Sequence, residues 1–196
     1  MTDRPPPVSE PAPHDAVLFG LAARLQAACI ERGMTVAVAE SCTGGLVAHA
    51  ITEIAGSSAY FLGGIVSYSN SVKQAQLGVP PEMLAAHGAV SAQTARAMAA
   101  GIRDRLGVDL AASITGVAGP GGGSDAKPVG LTYVATADAR GVDVRRFVWP
   151  FDRAGNKRAS AAATLEMLLE RVQARESHGP ATAKAAGAST AASDHE

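Results

Sequence analysis

The stretch Thr35-Val36-Ala37-Val38-Ala39-Glu40-Ser41-Cys42-Thr43-Gly44-Gly45-Leu46 decides the fold. Thr35 to Ala39 reads as a short buried strand, and after a polar turn Leu46, Val47, Ala50, Ile51 and Ile54 recur at helical spacing as far as Gly56. A second apolar run, Phe61 to Tyr68, reads as another strand, so the segment is a βαβ pattern. The turn Glu40 to Gly45 sets a hydroxyl and several backbone N–H groups where a strand feeds a helix. A serine there can be a nucleophile, an anion clamp or only a cap.

Towards the N-terminus, Val17, Leu18, Leu21, Leu25 and Cys29 form a helical stripe that stops at Gly33. Towards the C-terminus, Ser71 to Leu77 and Pro81 to Ala86 read as short helices. Ala95, Met98, Ala99, Ile102 and Leu106 mark a longer one, with Ser91 as N-cap and Gly107 as stop. A strand, Val108 to Thr115, precedes the glycine-rich loop Gly116 to Gly123. Two further strands, Val129 to Thr136 and Val142 to Trp149, are joined by the five residues Ala137 to Gly141 as an antiparallel hairpin. Ala161 to Val172 closes the pattern as a helix. The expected fold is α/β: a single three-layer αβα domain with a mixed, mostly parallel sheet and a late hairpin.

The 196 residues, 47% hydrophobic and 18% charged, suit one domain over residues 15–175. Residues 1–14 hold five of the eleven prolines, and 176–196 are Ala, Ser, Gly and charge without periodicity; both read as disordered tails. A net charge of −1 gives no broad basic field, which argues against nucleic acid as a partner. No apolar run approaches a signal peptide core or a membrane span. Only Cys29 and Cys42 occur, without C-x-x-C spacing, so neither a zinc site nor a disulfide scaffold is expected and a cytoplasmic location fits.

Serine is a weak nucleophile until a neighbouring base takes its proton. Tyr68 ends the second expected strand and Lys73 follows five residues later in the first turn of a helix, so Ser41, Tyr68 and Lys73 form a candidate constellation. A lysine serves as base only with a lowered pKa, and a tyrosine only beside a positive charge. The plainer alternative is that Ser41 or Thr43 caps the next helix, Tyr68 packs at a sheet edge and Lys73 is solvated. His49 and His87 are not placed for a histidine triad, and there is no G-x-S-x-G elbow. Cys42 is a rival nucleophile, read instead as a small buried residue because neighbours on a turn point different ways.

The loop Thr115-Gly116-Val117-Ala118-Gly119-Pro120-Gly121-Gly122-Gly123 lets backbone approach a ligand, and its N–H groups could cradle an anion. It has neither the Gly-Lys-Ser/Thr ending of a P-loop nor a G-x-G-x-x-G fingerprint that opens a helix. Lys127 and Arg153 flank the hairpin and could face a phosphate.

Five strings occur in order: AESCTGG at 39–45, IAGSS at 54–58, YSNSVK at 68–73, HGAVS at 87–91 and TGVAGPGGGSDAKPVG at 115–130. Together they resemble the CinA C-terminal domain family, which includes stand-alone nicotinamide-nucleotide amidases, over roughly residues 16–172. The resemblance implies hydrolysis of the carboxamide of nicotinamide mononucleotide to nicotinate mononucleotide and ammonia, with no metal or organic cofactor and a homodimer as the assembly. It places the family's serine, tyrosine and lysine on Ser41, Tyr68 and Lys73. Substrate contacts fall on Thr43, Gly44, Gly45, Asn70, Thr115, Gly116, Gly119 and Arg153. The chain departs from the family at Trp149-Pro150-Phe151-Asp152-Arg153, where Phe151 stands for a glycine and Lys157 or Arg158 for a later arginine. The larger N-terminal domain that many relatives carry is absent from this sequence, so no function needing it is expected. Two other readings remain from the sequence: a non-catalytic nucleotide-binding or regulatory module, and a serine amidase of another small amide.

Overall fold

The structure, a computed structural model, describes residues 12–174. The tails read from composition fall almost wholly outside them. Helix α1, Asp15–Arg32, buries Leu18, Leu21, Ala22, Leu25 and Cys29 on one stripe. It ends at Gly33, whose φ of 59° lets the chain turn left while Gly33 and Met34 N–H groups close on the last carbonyls. Strand β1, Val36–Glu40, is buried at every position, as a central strand covered on both faces must be.

Helix α2, Leu46–Thr52, stops earlier than the apolar pattern suggests, and a 3-10 turn at Ser57–Ala59 leads into β2, Phe61–Val66. The second strand therefore ends two residues short of Tyr68. Helices α3, Asn70–Leu77, and α4, Pro81–His87, precede α5, Ala92–Leu106. Ser91 caps α5 by accepting the Thr94 N–H, and Gly107 ends it at φ 63°, both as the sequence indicates.

Strand β3, Leu110–Gly116, is followed after the glycine loop by β4, Leu131–Asp138, and β5, Gly141–Val148. Asp138 pairs with Gly141, so the hairpin closes through the two residues Ala139 and Arg140 rather than five. The Asp138 carboxylate accepts from the Arg140 backbone N–H and guanidinium, which tightens the turn. Helix α6 runs Arg153–Gln173 and begins eight residues before Ala161. Its early part buries Gly155, Asn156 and Ser160, which carry no apolar signal.

The sheet order is β2-β1-β3-β4-β5, with β1 parallel to β2 and β3, and with antiparallel pairing from β3 to β4 and β4 to β5. One face carries α1, α2 and α6, where Leu25, Ile51, Leu165 and Leu168 are fully buried. Truncating such a leucine costs about 2–5 kcal/mol. The other carries α3, α4 and α5 over Ala37, Ala39 and Ala111. Ala95 and Ala99 of α5 meet Ala135 and Ala137 of β4, small against small, which brings this helix close to the sheet. The turn that carries Ser41 thus lies at the C-terminal end of the interior strand β1, the usual ligand edge of an α/β sheet.

Candidate active site

Ser41 follows β1 directly and is held by its N–H, which donates to the Ile114 carbonyl at 2.9 Å. The chain then reverses through Gly44 and Gly45, at φ 65° and 98°. These two left-handed positions bring α2 back along the sheet. Neither Ser41 nor Thr43 caps α2. That role belongs to Glu40, almost wholly buried, whose carboxylate accepts from the N–H groups of Gly45 at 2.9 Å and Ala48 at 2.8 Å.

Lys73, on α3, has no solvent exposure, and its Nζ lies 3.0 Å from Ser41 Oγ and 2.5 Å from the Ser67 carbonyl oxygen. The solvated-lysine alternative is excluded. Desolvation pushes the ammonium pKa below its ordinary 10.5, the direction a base requires. Neutral Lys73 can accept the Ser41 hydroxyl proton across the same 3.0 Å while donating to Ser67.

Tyr68 is 63% exposed, and its phenol oxygen accepts from the Arg153 guanidinium at 3.3 Å. It lines the Ser41 cleft without touching Ser41. Of the two candidate bases, Lys73 is the one within hydrogen-bond distance of Ser41. Cys42 also lines the cleft, but burial raises its thiol to about 12, so it is no thiolate nucleophile.

The cleft measures about 220 Å³ and is lined further by Ala89, Val90, Thr115, Gly116, Ala118 and Arg153. Thr115 Oγ1 donates to the Ala89 carbonyl at 2.7 Å and ties β3 to the opposite wall. A side chain on Gly116 would meet the Leu131 carbonyl oxygen at 2.6 Å, so glycine there reflects close packing against β4.

Other expected contacts need correction. Gly44 N–H donates to Ser41 O and Gly45 N–H to Glu40, so neither amide is available to a ligand. The remaining amides of the turn are those of Cys42 and Thr43. The Thr43 side chain is fully buried, with its hydroxyl unpartnered among the described residues, and Asn70 is exposed outside the cleft. The glycine loop turns carbonyls rather than a row of N–H groups towards α6: Gly119 O accepts from Arg153 at 2.7 Å and Ala118 O from Asn156 at 3.1 Å. Lys127 binds the His87 carbonyl at 2.8 Å, away from the cleft, and neither His49 nor His87 lines it.

Sequence reasoning missed Glu40 and Asn156, whose roles need the fold, and Ala89 and Val90, which carry no chemical signal of their own. Among the described residues no group of three or more His, Cys, Asp or Glu side chains could hold a metal, and no helix is long and apolar enough to cross a membrane.

Residues 19–172 match the CinA C-terminal domain. A CinA-like protein of Geobacter sulfurreducens is 51% identical over 142 residues, covering 72% of this chain and 34% of the relative. The chain thus spans about a third of the length of that relative. The crystal structure of competence/damage inducible protein CihA from Agrobacterium tumefaciens is 43% identical with a TM-score of 0.77, covering 83% of this chain and 98% of that one. A CinA superfamily protein from Klebsiella pneumoniae is 32% identical, also at a TM-score of 0.77, covering 80% and 98%.

Proposed function

The chain belongs to the CinA C-terminal domain family, and from that premise we propose that it hydrolyses the carboxamide of nicotinamide mononucleotide, releasing ammonia and nicotinate mononucleotide. The observation that carries this reading is the buried pair Ser41 and Lys73, 3.0 Å apart at the C-terminal end of β1. Among the described residues Lys73 has no counter-ion, and its partners are a hydroxyl and a carbonyl. Its position suits removal of the Ser41 proton.

In this mechanism Ser41 Oγ attacks the amide carbon as Lys73 takes its proton. The tetrahedral oxyanion is held by the N–H groups of Cys42 and Thr43, each donor worth about 3–4 kcal/mol in the transition state. Lys73 returns the proton to the departing nitrogen, and ammonia leaves an ester on Ser41. Water then attacks that ester with Lys73 again as base, giving the carboxylate and free Ser41. Arg153 donates to both Gly119 O and Tyr68 Oη, and so holds the phenol and the glycine loop together at the cleft mouth.

The test is incubation with nicotinamide mononucleotide and joint measurement of ammonia and nicotinate mononucleotide, with Ser41→Ala in parallel. Equal production by the folded variant would defeat the assignment of Ser41. Absence of turnover by the wild type would defeat the amidase reading.

A further inference from the structure

Ala89 and Val90, which wall the Ser41 cleft, lie in the segment 88–91, which belongs to no helix or strand and so has no ladder to fix it. Side chains hold its carbonyls instead. Gly88 O accepts from Ser91 Oγ at 3.1 Å and Thr94 Oγ1 at 2.8 Å, and Ala89 O accepts from Thr115 Oγ1 at 2.7 Å. Where the segment leaves α4, the Gly88 N–H closes on Leu84 O at 2.9 Å. His87 O, a carbonyl left over at the end of that helix, accepts from Lys127 Nζ at 2.8 Å.

Lys127 comes from a distant part of the chain, the far end of the glycine loop. Its N–H donates to Ser124 O at 3.0 Å and its carbonyl accepts from the Ser124 N–H at 2.9 Å, which closes a turn behind the exposed residues 121–126. The half-buried Lys127 ammonium lies over Gly88, where a Cβ would stand 2.9 Å from Nζ and where φ is 73°. Glycine at that position both permits the turn and leaves room for the cation. A cation suits the carbonyl end of a helix, and a bond with a charged donor is roughly twice as strong as a neutral one. Lys127 does not line the cleft, so it reaches the cleft only through His87 and the residues that follow.

We propose that Lys127 is a positioning residue: by holding the end of α4 it sets how far the wall of Ala89 and Val90 stands from Ser41, and so how tightly the group presented to Ser41 is gripped. That wall is apolar and takes no part in bond making, so it acts on bound substrate and transition state alike. Losing such uniform binding raises KM and leaves kcat in place. The identity of the amide rests on the amidase reading; the clamp rests on the geometry of Lys127, Gly88 and the cleft wall.

Lys127→Met keeps the apolar stem without a donor, and Lys127→Arg keeps a charged donor. With nicotinamide mononucleotide, KM is expected to rise about tenfold in Lys127→Met, as for one lost charge-assisted hydrogen bond, with kcat within about twofold of wild type, and to recover in Lys127→Arg. A KM within about twofold of wild type in Lys127→Met, a loss confined to kcat, or the same rise in Lys127→Arg would overturn the proposal. Amide hydrogen exchange, read by mass spectrometry on peptides spanning residues 87–91 of the full chain, needs no turnover. Faster exchange in Lys127→Met than in wild type supports the clamp, and equal exchange refutes it. If the wild type releases no ammonia, the amidase reading fails separately and the exchange measurement alone decides.

Discussion

Replacing Glu40 probes whether the turn that carries Ser41 is held from behind. Its carboxylate accepts two backbone N–H groups, from Gly45 and Ala48, in a site with almost no solvent access. Glu40→Gln keeps one carbonyl acceptor but sets an NH2 group against the other N–H, so one charge-assisted bond is lost. Such a bond is worth about 1.5–3 kcal/mol. A loss near 2 kcal/mol corresponds to a fall in Tm of about 4–8 °C for a chain of this size. Glu40→Ala strands both donors, each costing about 1–3 kcal/mol, and should be destabilised by about 2–6 kcal/mol. Urea denaturation of the three proteins measures the series, and ammonia release reports whether Ser41, the next residue, has shifted. If Glu40→Ala unfolds within about 0.5 kcal/mol of wild type, like an ordinary surface substitution, the carboxylate does not hold the turn and the account of α2 capping fails.

Three further outcomes follow from the placement of Lys73 and from the packing of its helix. Because burial lowers the Lys73 pKa below 10.5, the amidase rate should rise with pH and level off before 10.5, and Lys73→Arg, which cannot deprotonate, should lose about 10²–10⁴-fold; a flat profile, or an active arginine variant, would remove Lys73 from the role of base. The folded state binds fewer protons at Lys73 than the unfolded chain between the lowered value and 10.5, so this group makes stability rise with pH across that window, as urea midpoints will register. In Gly101→Ala the new Cβ would lie 1.9 Å from the Leu77 carbonyl oxygen, backbone against backbone between α5 and α3. Forcing those helices apart should cost about 3 kcal/mol or more and displace Lys73; an unchanged urea midpoint would contradict that packing.

The sequence was most informative where a local signal and the tertiary structure agree. Gly33 and Gly107 end their helices because only a left-handed residue fits there, and Ser91 caps α5 through its own hydroxyl. The five-residue step from Tyr68 to Lys73 suggests a cleft shared with Ser41; the structure brings Lys73 to Ser41 because β1 and β2 are parallel neighbours and α3 follows β2 at their C-terminal edge. What sequence could not convey is environment. Whether Lys73 is a base or a solvated cation is decided only when the fold buries it, and nothing in the sequence marks Glu40 as the acceptor of two amides. The start of α6 is hidden for a related reason: Gly155, Asn156 and Ser160 are buried there because close approach and hydrogen bonding, not apolar area, hold that turn. Gly44, Gly45 and Gly119 have the composition of a ligand-binding backbone, yet their polar groups are largely spent within the protein.

The first and last helices also fix where foreign sequence can be joined. Asp15 meets Arg158 near the start of both α1 and α6, and Arg32 shares a shallow depression with Gln173 at their far ends, so the two helices run side by side in the same direction. With 18 residues in α1 and 21 in α6, the poles of this pair lie about 27–32 Å apart. An affinity tag or fused domain placed ahead of α1 emerges at the pole where Asp15 borders a cavity of about 800 Å³. One placed after α6 leaves from the opposite pole, away from Arg153 and the Ser41 cleft, which makes it the attachment point for immobilising or labelling the protein.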